Sequence, residues 1–145
     1  MNPSTAPSNV PVTDRKTRNL LAGILLLGFL LRIVIVFFVP LLHMHRDTYD
    51  YYRQADIILM GGYLNYFPNG YPFIVAIAKT LSESHSQLIL LWLNIIMSLA
   101  TVYFVYDIGR RVFGKVTIGL AAAFLMAVFP PLLNYVRWIM SETPT

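Results

Sequence analysis

Three runs of apolar residues leave this chain few folds to choose from: Leu20 to Leu42, broken only by the charge of Arg32; Leu88 to Tyr106, with Asn94, Ser98 and Thr101 as its polar members; and Val116 to Leu133. Each approaches or exceeds the roughly 18 to 20 residues that a helix needs to cross about 30 Å of hydrocarbon. Charged side chains make up 12% of the chain, where a soluble domain carries about 25%. The expected fold is therefore an all-α polytopic membrane protein, with three transmembrane helices at 20–42, 88–106 and 116–133 and short juxtamembrane helices in the first outer loop.

The basic residues set the orientation. Arg15, Lys16 and Arg18 precede the first run, and Arg110, Arg111 and Lys115 separate the second from the third. Lys and Arg mark cytoplasmic ends, so both clusters are expected on one side and the N-terminus in the cytoplasm. The net charge of +4 is thus spent on anchoring, and no nucleic-acid partner is expected. Residues 1–19 read as a disordered basic tail; the first run is too long for a secretory signal and lacks a small-residue cleavage site. Tyr71 to Leu81 is also apolar, but as helix it reaches only about 16 Å and contains Lys79. A crossing there would put the basic clusters on opposite sides. Residues 43–87 then form a single extracytoplasmic loop, with Asn134 to Thr145 on the same face.

Within that loop Asp47 to Met60 is expected to be helical, with Asp47, Tyr51, Ala55 and Leu59 sharing a face at spacings of four, and Gly61 and Gly62 stopping it. Pro68, Asn69 and Gly70 make a turn, and Pro72 suits the first turn of a second short helix.

Acidic residues are scarce, seven in all, and five lie on the predicted outer face: Asp47, Asp50, Asp56, Glu83 and Glu142. Asp47 and Glu142 each stand a few residues beyond a membrane exit. A carboxylate there can deprotonate an acceptor, coordinate a divalent cation, or simply cap a helix. His43, His45 and Asp47 alternate, a spacing that can hold a metal or merely line the interface. Arg32 must snorkel, pair, or face a polar cavity. Arg46, Arg53, Lys79 and Arg137 can meet lipid phosphates. Tyr49, Tyr51, Tyr52, Tyr63, Tyr66, Phe67 and Tyr71 form a dense band that serves as an interfacial belt or a surface for sugars. Cysteine is absent, which removes disulfides and thiolate metal sites.

The loop DTYDYYRQADIILMGGYLNYFPNGYPFIVAIAK resembles the first extracytoplasmic loop of GT-C class membrane glycosyltransferases, above all the protein mannosyltransferases and the aminoarabinose transferases. YDIGRRVFGK and FPPLLNYVRWIMSETP are similar to the cytoplasmic turn, third crossing and second acidic motif of that group. The resemblance implies transfer of a sugar from a polyprenyl or dolichyl phosphate to a protein or glycolipid acceptor outside the cytoplasm, in the plasma (inner) membrane. It implies Asp47 as the catalytic carboxylate and Glu142 as the second acidic position, with Tyr51 and Ala55 architectural. Arg46, Arg53, Tyr51, Lys79 and Arg137 are the candidates for binding substrate or lipid phosphate. Some members need a divalent cation; no other cofactor is expected. Members usually have many more crossings, so the chain reads as an N-terminal portion, residues 20–145 being part of the transmembrane domain, inactive in isolation. The rival readings are a small non-catalytic membrane subunit or transporter fragment, with Arg32 and Asn94 lining a path, and a remnant without function.

Overall fold

The computed structural model describes residues 14–39, 46–62 and 70–137, with the side chains of Arg46 and Asp47 outside the description. Every regular element in it is helical: α1 (Arg15–Phe38), α2 (Arg46–Leu59), α3 (Gly70–Leu81), α4 (Ser86–Phe113), α5 (Val116–Val128) and α6 (Pro130–Tyr135). Short helices thus occupy both loop stretches where they were expected. Two helices, α1 and α4, are long and apolar enough to cross a membrane. They carry exposed apolar side chains such as Leu26, Leu30, Ile96 and Phe104, which suits a membrane-associated bundle.

The expected boundaries move in three places. α1 starts at Arg15, so residues 15–19 are helical rather than tail, and it ends at Phe38. α4 runs on past Tyr106 to Phe113, because Arg110 and Arg111 are good helix formers, and stops at Gly114, whose φ of 64° is the left-handed end conformation that glycine adopts without strain. The third run corrects the sequence reading most. Instead of one span-length helix it gives α5, 13 residues and about 20 Å long, and the six-residue α6. The break is at Phe129, which takes an extended conformation (φ −66°, ψ 115°) ahead of Pro130 and Pro131. Proline clashes with a helical residue before it and has no N–H, so two in succession end one helix and can only begin another.

α5 packs chiefly on α4 and then on α1. The α4–α5 contact is backbone to backbone: a Cβ added at Gly119 would lie 2.6 Å from the Tyr106 carbonyl oxygen, and one at Gly109 would lie 3.1 Å from the Gly119 Cα. Gly119, Ala123 and Ala127, spaced by four, form the buried face of α5. Small residues at that interval let helices approach where lipid supplies no hydrophobic drive for association. Leu21, Val102, Tyr106, Ala123 and Ala127 form the core of this half. Since Leu21 and Tyr106 belong to one cluster, the Arg15–Arg18 and Arg110–Lys115 groups lie at the same end of the bundle. Farther along, Trp92 of α4 stacks on Phe29 (6.4 Å between centroids) and tilts against Phe37 (6.0 Å) of α1.

Arg32 neither snorkels nor lines a path. It is fully buried, and its Nε and Nη2 donate to the Ser98 hydroxyl at 2.9 and 2.8 Å, while Nη1 donates to the carbonyls of Gly28 (2.9 Å) and Ala127 (3.3 Å). The Ala127 carbonyl would take its helical bond from residue 131, and residue 131 is a proline. Arg32 supplies the missing donor, joining α1 to α4 through Ser98 and to the end of α5.

Candidate functional site

At the end away from the basic clusters, α2 and α3 pack together and onto the first turns of α4. Tyr51, Ala55, Val75, Ala76, Ala78 and Leu90 form their shared core. Tyr51 and Ala55 therefore lie on the inner face, as their spacing predicts, but Leu59 is 46% exposed. Four residues turn an α-helix by 400°, so a row spaced by four drifts 40° per step and leaves the contact after two.

α2 ends in a double hydrogen bond that the glycine pair makes possible. Gly61 N–H donates to the Ile58 carbonyl (3.0 Å) and Gly62 N–H to the Ile57 carbonyl (2.8 Å), with Gly61 at φ 77°. α3 packs against α2. An ion pair between Lys79 of α3 and Asp56 of α2 fastens the two, with the Lys79 ammonium 6.0 Å from the Tyr52 ring centroid. The Tyr51 and Tyr71 rings meet edge to face at 5.5 Å.

Asn94 ties this unit to the bundle. Its side-chain oxygen accepts from the Tyr71 hydroxyl at 3.3 Å, and its amide donates to the Val136 carbonyl, also at 3.3 Å. Burial pushes the Tyr71 phenol up to about 12, against a smaller opposing pull from the Asn94 hydrogen bond, so Tyr71 is a permanent donor at neutral pH. Arg137, just beyond α6, donates from Nη2 to the Val39 carbonyl (2.8 Å) at the end of α1. Its Nε is buried and has no partner among the described residues.

A cavity of about 360 Å³ opens beside the start of α2. Thr48, Tyr49 and Tyr52 line it from α2; Glu83, Ser84, Ser86 and Gln87 line it from the α3–α4 connection.

Of the residues singled out from sequence, Asp47 lies in the first turn of α2, one residue before that cavity wall begins, and Arg46 opens the same helix. Glu142, His43, His45, Tyr63, Tyr66 and Phe67 lie outside the described residues. Tyr51 is buried in the α2–α3 core, Arg53 is exposed, Lys79 is held by Asp56, and Arg137 reaches the end of α1. Among the described residues no three His, Cys, Asp or Glu side chains are grouped as metal ligands. Sequence reasoning left the Asp56–Lys79 pair and the Ser98 partner of Arg32 unassigned. The first joins residues of two helices 23 apart in sequence, and the second lies 66 residues away, so neither has a local signal.

No curated protein and no solved structure matches the chain. A family model, that of the dolichyl-phosphate-mannose-protein mannosyltransferases, matches residues 68–145, from the start of α3 through α6 and beyond. That stretch contains the α3–α4 connection, the close α4–α5 pair and the proline break, so the match falls on the elements that carry the architecture. On this match the chain belongs to the dolichyl-phosphate-mannose-protein mannosyltransferase family and is a membrane glycosyltransferase using a lipid-phosphate-linked sugar.

Proposed function

We propose that Asp47 is the general base of this glycosyltransferase and that Glu142 assists acceptor or metal binding. The acceptor hydroxyl gives its proton to the Asp47 carboxylate, its oxygen bonds to the anomeric carbon, and the bond from that carbon to the phosphate oxygen breaks. The lipid phosphate leaves with the electron pair. Direct displacement inverts the anomeric centre, and a phosphate needs no strong acid to depart. The family match over residues 68–145 supports the glycosyltransferase chemistry and takes in Glu142 but not Asp47, whose part rests on the resemblance of its loop and on its position in the first turn of α2, beside a cavity.

Arg137 is a candidate cation for the departing phosphate, lying just beyond α6 with Nη2 held on the Val39 carbonyl. Arg46 and Arg53 are nearer Asp47 in sequence, whereas Lys79 would have to exchange Asp56 for a phosphate. Three crossings are formed by α1, α4 and the α5–α6 pair, whose 13 and six residues add to about 29 Å. Both basic clusters then face the cytoplasm, an orientation supported by their lying at one end of the bundle. The membrane is the plasma (inner) membrane, and the acceptor, protein or glycolipid, is met on its outer side.

The test is sugar transfer by the enzyme carrying Asp47→Asn, with dolichyl phosphate mannose as donor. Transfer is expected to fall by roughly 10²–10⁴-fold, the usual contribution of a positioned base. Turnover near that of the unsubstituted enzyme removes the assignment.

A further inference from the structure

Five cations stand exposed at the end of the bundle where α1 begins and α4 gives way to α5: Arg15, Lys16 and Arg18 in the first turn of α1, and Arg111 and Lys115 around the α4–α5 turn. A sixth, Arg110, is partly buried, its guanidinium 5.5 Å from the Tyr106 ring centroid. Asp14 and Asp107 are the acidic residues near them in sequence, and residues 1–13 carry no ionisable side chain. Asp107 pairs with Arg110 at 2.7 Å and with Arg111 at 2.8 Å, so one carboxylate is shared between two cations and Arg111 stays 61% exposed. Positive charge from two separate stretches of chain is thus left in excess on one surface.

The neighbours of these cations are apolar and face outward. Leu20 (51% exposed) stands two residues beyond Arg18 on α1, and Val112 (70%) and Phe113 (62%) directly follow Arg111 on α4. Long basic side chains at the feet of apolar helices suit the level at which acyl chains give way to headgroups. A phospholipid meets both features with one molecule, its phosphate against a guanidinium or ammonium and its acyl chains along Leu20, Val112 or Phe113. A zwitterionic headgroup brings a cation of its own, which the patch repels; an anionic one does not. We propose that this end of the bundle selects anionic phospholipids over zwitterionic ones, on a surface built jointly by the start of α1 and the α4–α5 turn. It lies away from the α2–α3 unit and needs no part of the catalytic reading.

The experiment is electron spin resonance of spin-labelled lipids around the chain in nanodiscs whose two leaflets have the same composition, so that orientation does not enter. Labelled phosphatidylglycerol is expected to populate the motionally restricted, protein-bound component roughly fivefold more strongly than labelled phosphatidylcholine, the factor that one basic residue at an anionic surface supplies, and high salt is expected to reduce the preference. Arg15→Gln, Lys16→Gln and Arg18→Gln together, and Arg111→Gln with Lys115→Gln, are each expected to weaken it, and all five to abolish it; the fold buries none of these side chains. The charge-keeping set Arg15→Lys, Arg18→Lys and Arg111→Lys is expected to retain the preference, which separates charge from a disturbed fold. Equal association of the two lipids with the unsubstituted chain, or a preference that survives loss of all five charges, overturns the proposal. A reduction confined to one of the two sets overturns the joint surface. Millimolar glycerol 3-phosphate is expected to leave the labelled lipid in place; displacement would make the patch a site for free phosphates and overturns the lipid assignment.

Discussion

Arg32 donates to the carbonyl of Ala127, the residue whose own helical donor would be Pro131. The buried cation on one helix and the proline break in another are thus two halves of one arrangement, and each explains why the other is tolerated. Removing the cation leaves the carbonyl unsatisfied where no water replaces it; removing the prolines gives the carbonyl a partner of its own.

That relationship is tested by a double-mutant cycle. Arg32→Gln is expected to lower the thermal unfolding midpoint of the chain in detergent. In a Pro130→Ala, Pro131→Ala background the loss is expected to be smaller, with a coupling of roughly 0.5–2 kcal/mol, the scale of hydrogen bonds between membrane helices and of residues in contact. Strict additivity contradicts the shared role.

The α4–α5 contact makes a sharper distinction between glycines. Gly119→Ala places a Cβ 2.6 Å from backbone oxygen, and the helices must part, at a cost of about 1–3 kcal/mol. Gly23→Ala meets nothing within 4 Å and should be neutral or stabilise by about 0.5–1 kcal/mol through helix propensity. Denaturation midpoints in mixed detergent micelles compare the two directly, and equal effects would count against the close approach.

Lys79 and Asp56 join α2 to α3 at a site where the carboxylate side chain is 46% exposed, so the pair itself is worth only about 0.2–1 kcal/mol. Lys79→Gln is therefore expected to change stability little. If Lys79 also serves the donor phosphate, the substitution raises KM for the lipid-linked sugar, and the exchange Asp56→Lys with Lys79→Asp restores stability without restoring KM. Recovery of both assigns Lys79 a purely structural part.

Tyr71 gives an alkaline signature. Its phenol titrates near 10 in the unfolded chain and near 12 in the fold, so the folded state holds the proton more tightly. The associated stability is complete below pH 10 and is lost as pH rises from about 10 to about 12. Tyrosinate absorbance followed against unfolding is expected to show this loss, and Tyr71→Phe to make the decline shallower. An unchanged slope would show that Tyr71 is not the group responsible.

The parts of the architecture that local patterns govern were legible before the structure. α2 and α3 follow from a glycine pair that can close a helix and a proline suited to opening one; the length of the hydrophobic runs located α1 and α4. Hydropathy gives no information about helical continuity, however, and so Val116 to Leu133 looked uniform although Pro130 and Pro131 were in plain view. The same limit hid the fate of Arg32: its cost could be read from its position, but its partners lie 66 and 95 residues away and only packing brings them together. At the candidate site, spacing identified the buried side of α2 through Tyr51 and Ala55, whereas the cavity depends on a turn between α3 and α4 that no helical period describes.

The distance along the chain between Arg32 and its partners also has a consequence in time. At about 5–20 residues per second, Ser98 is synthesised roughly 3–13 s after Arg32 and Ala127 later still. During that interval the guanidinium has only the Gly28 carbonyl of its own helix as a partner, and a charge inside hydrocarbon costs about 2.5–3.5 kcal/mol. α1 thus completes its polar contacts only when α4 and α5 arrive, so its settling in the bundle is coupled to theirs.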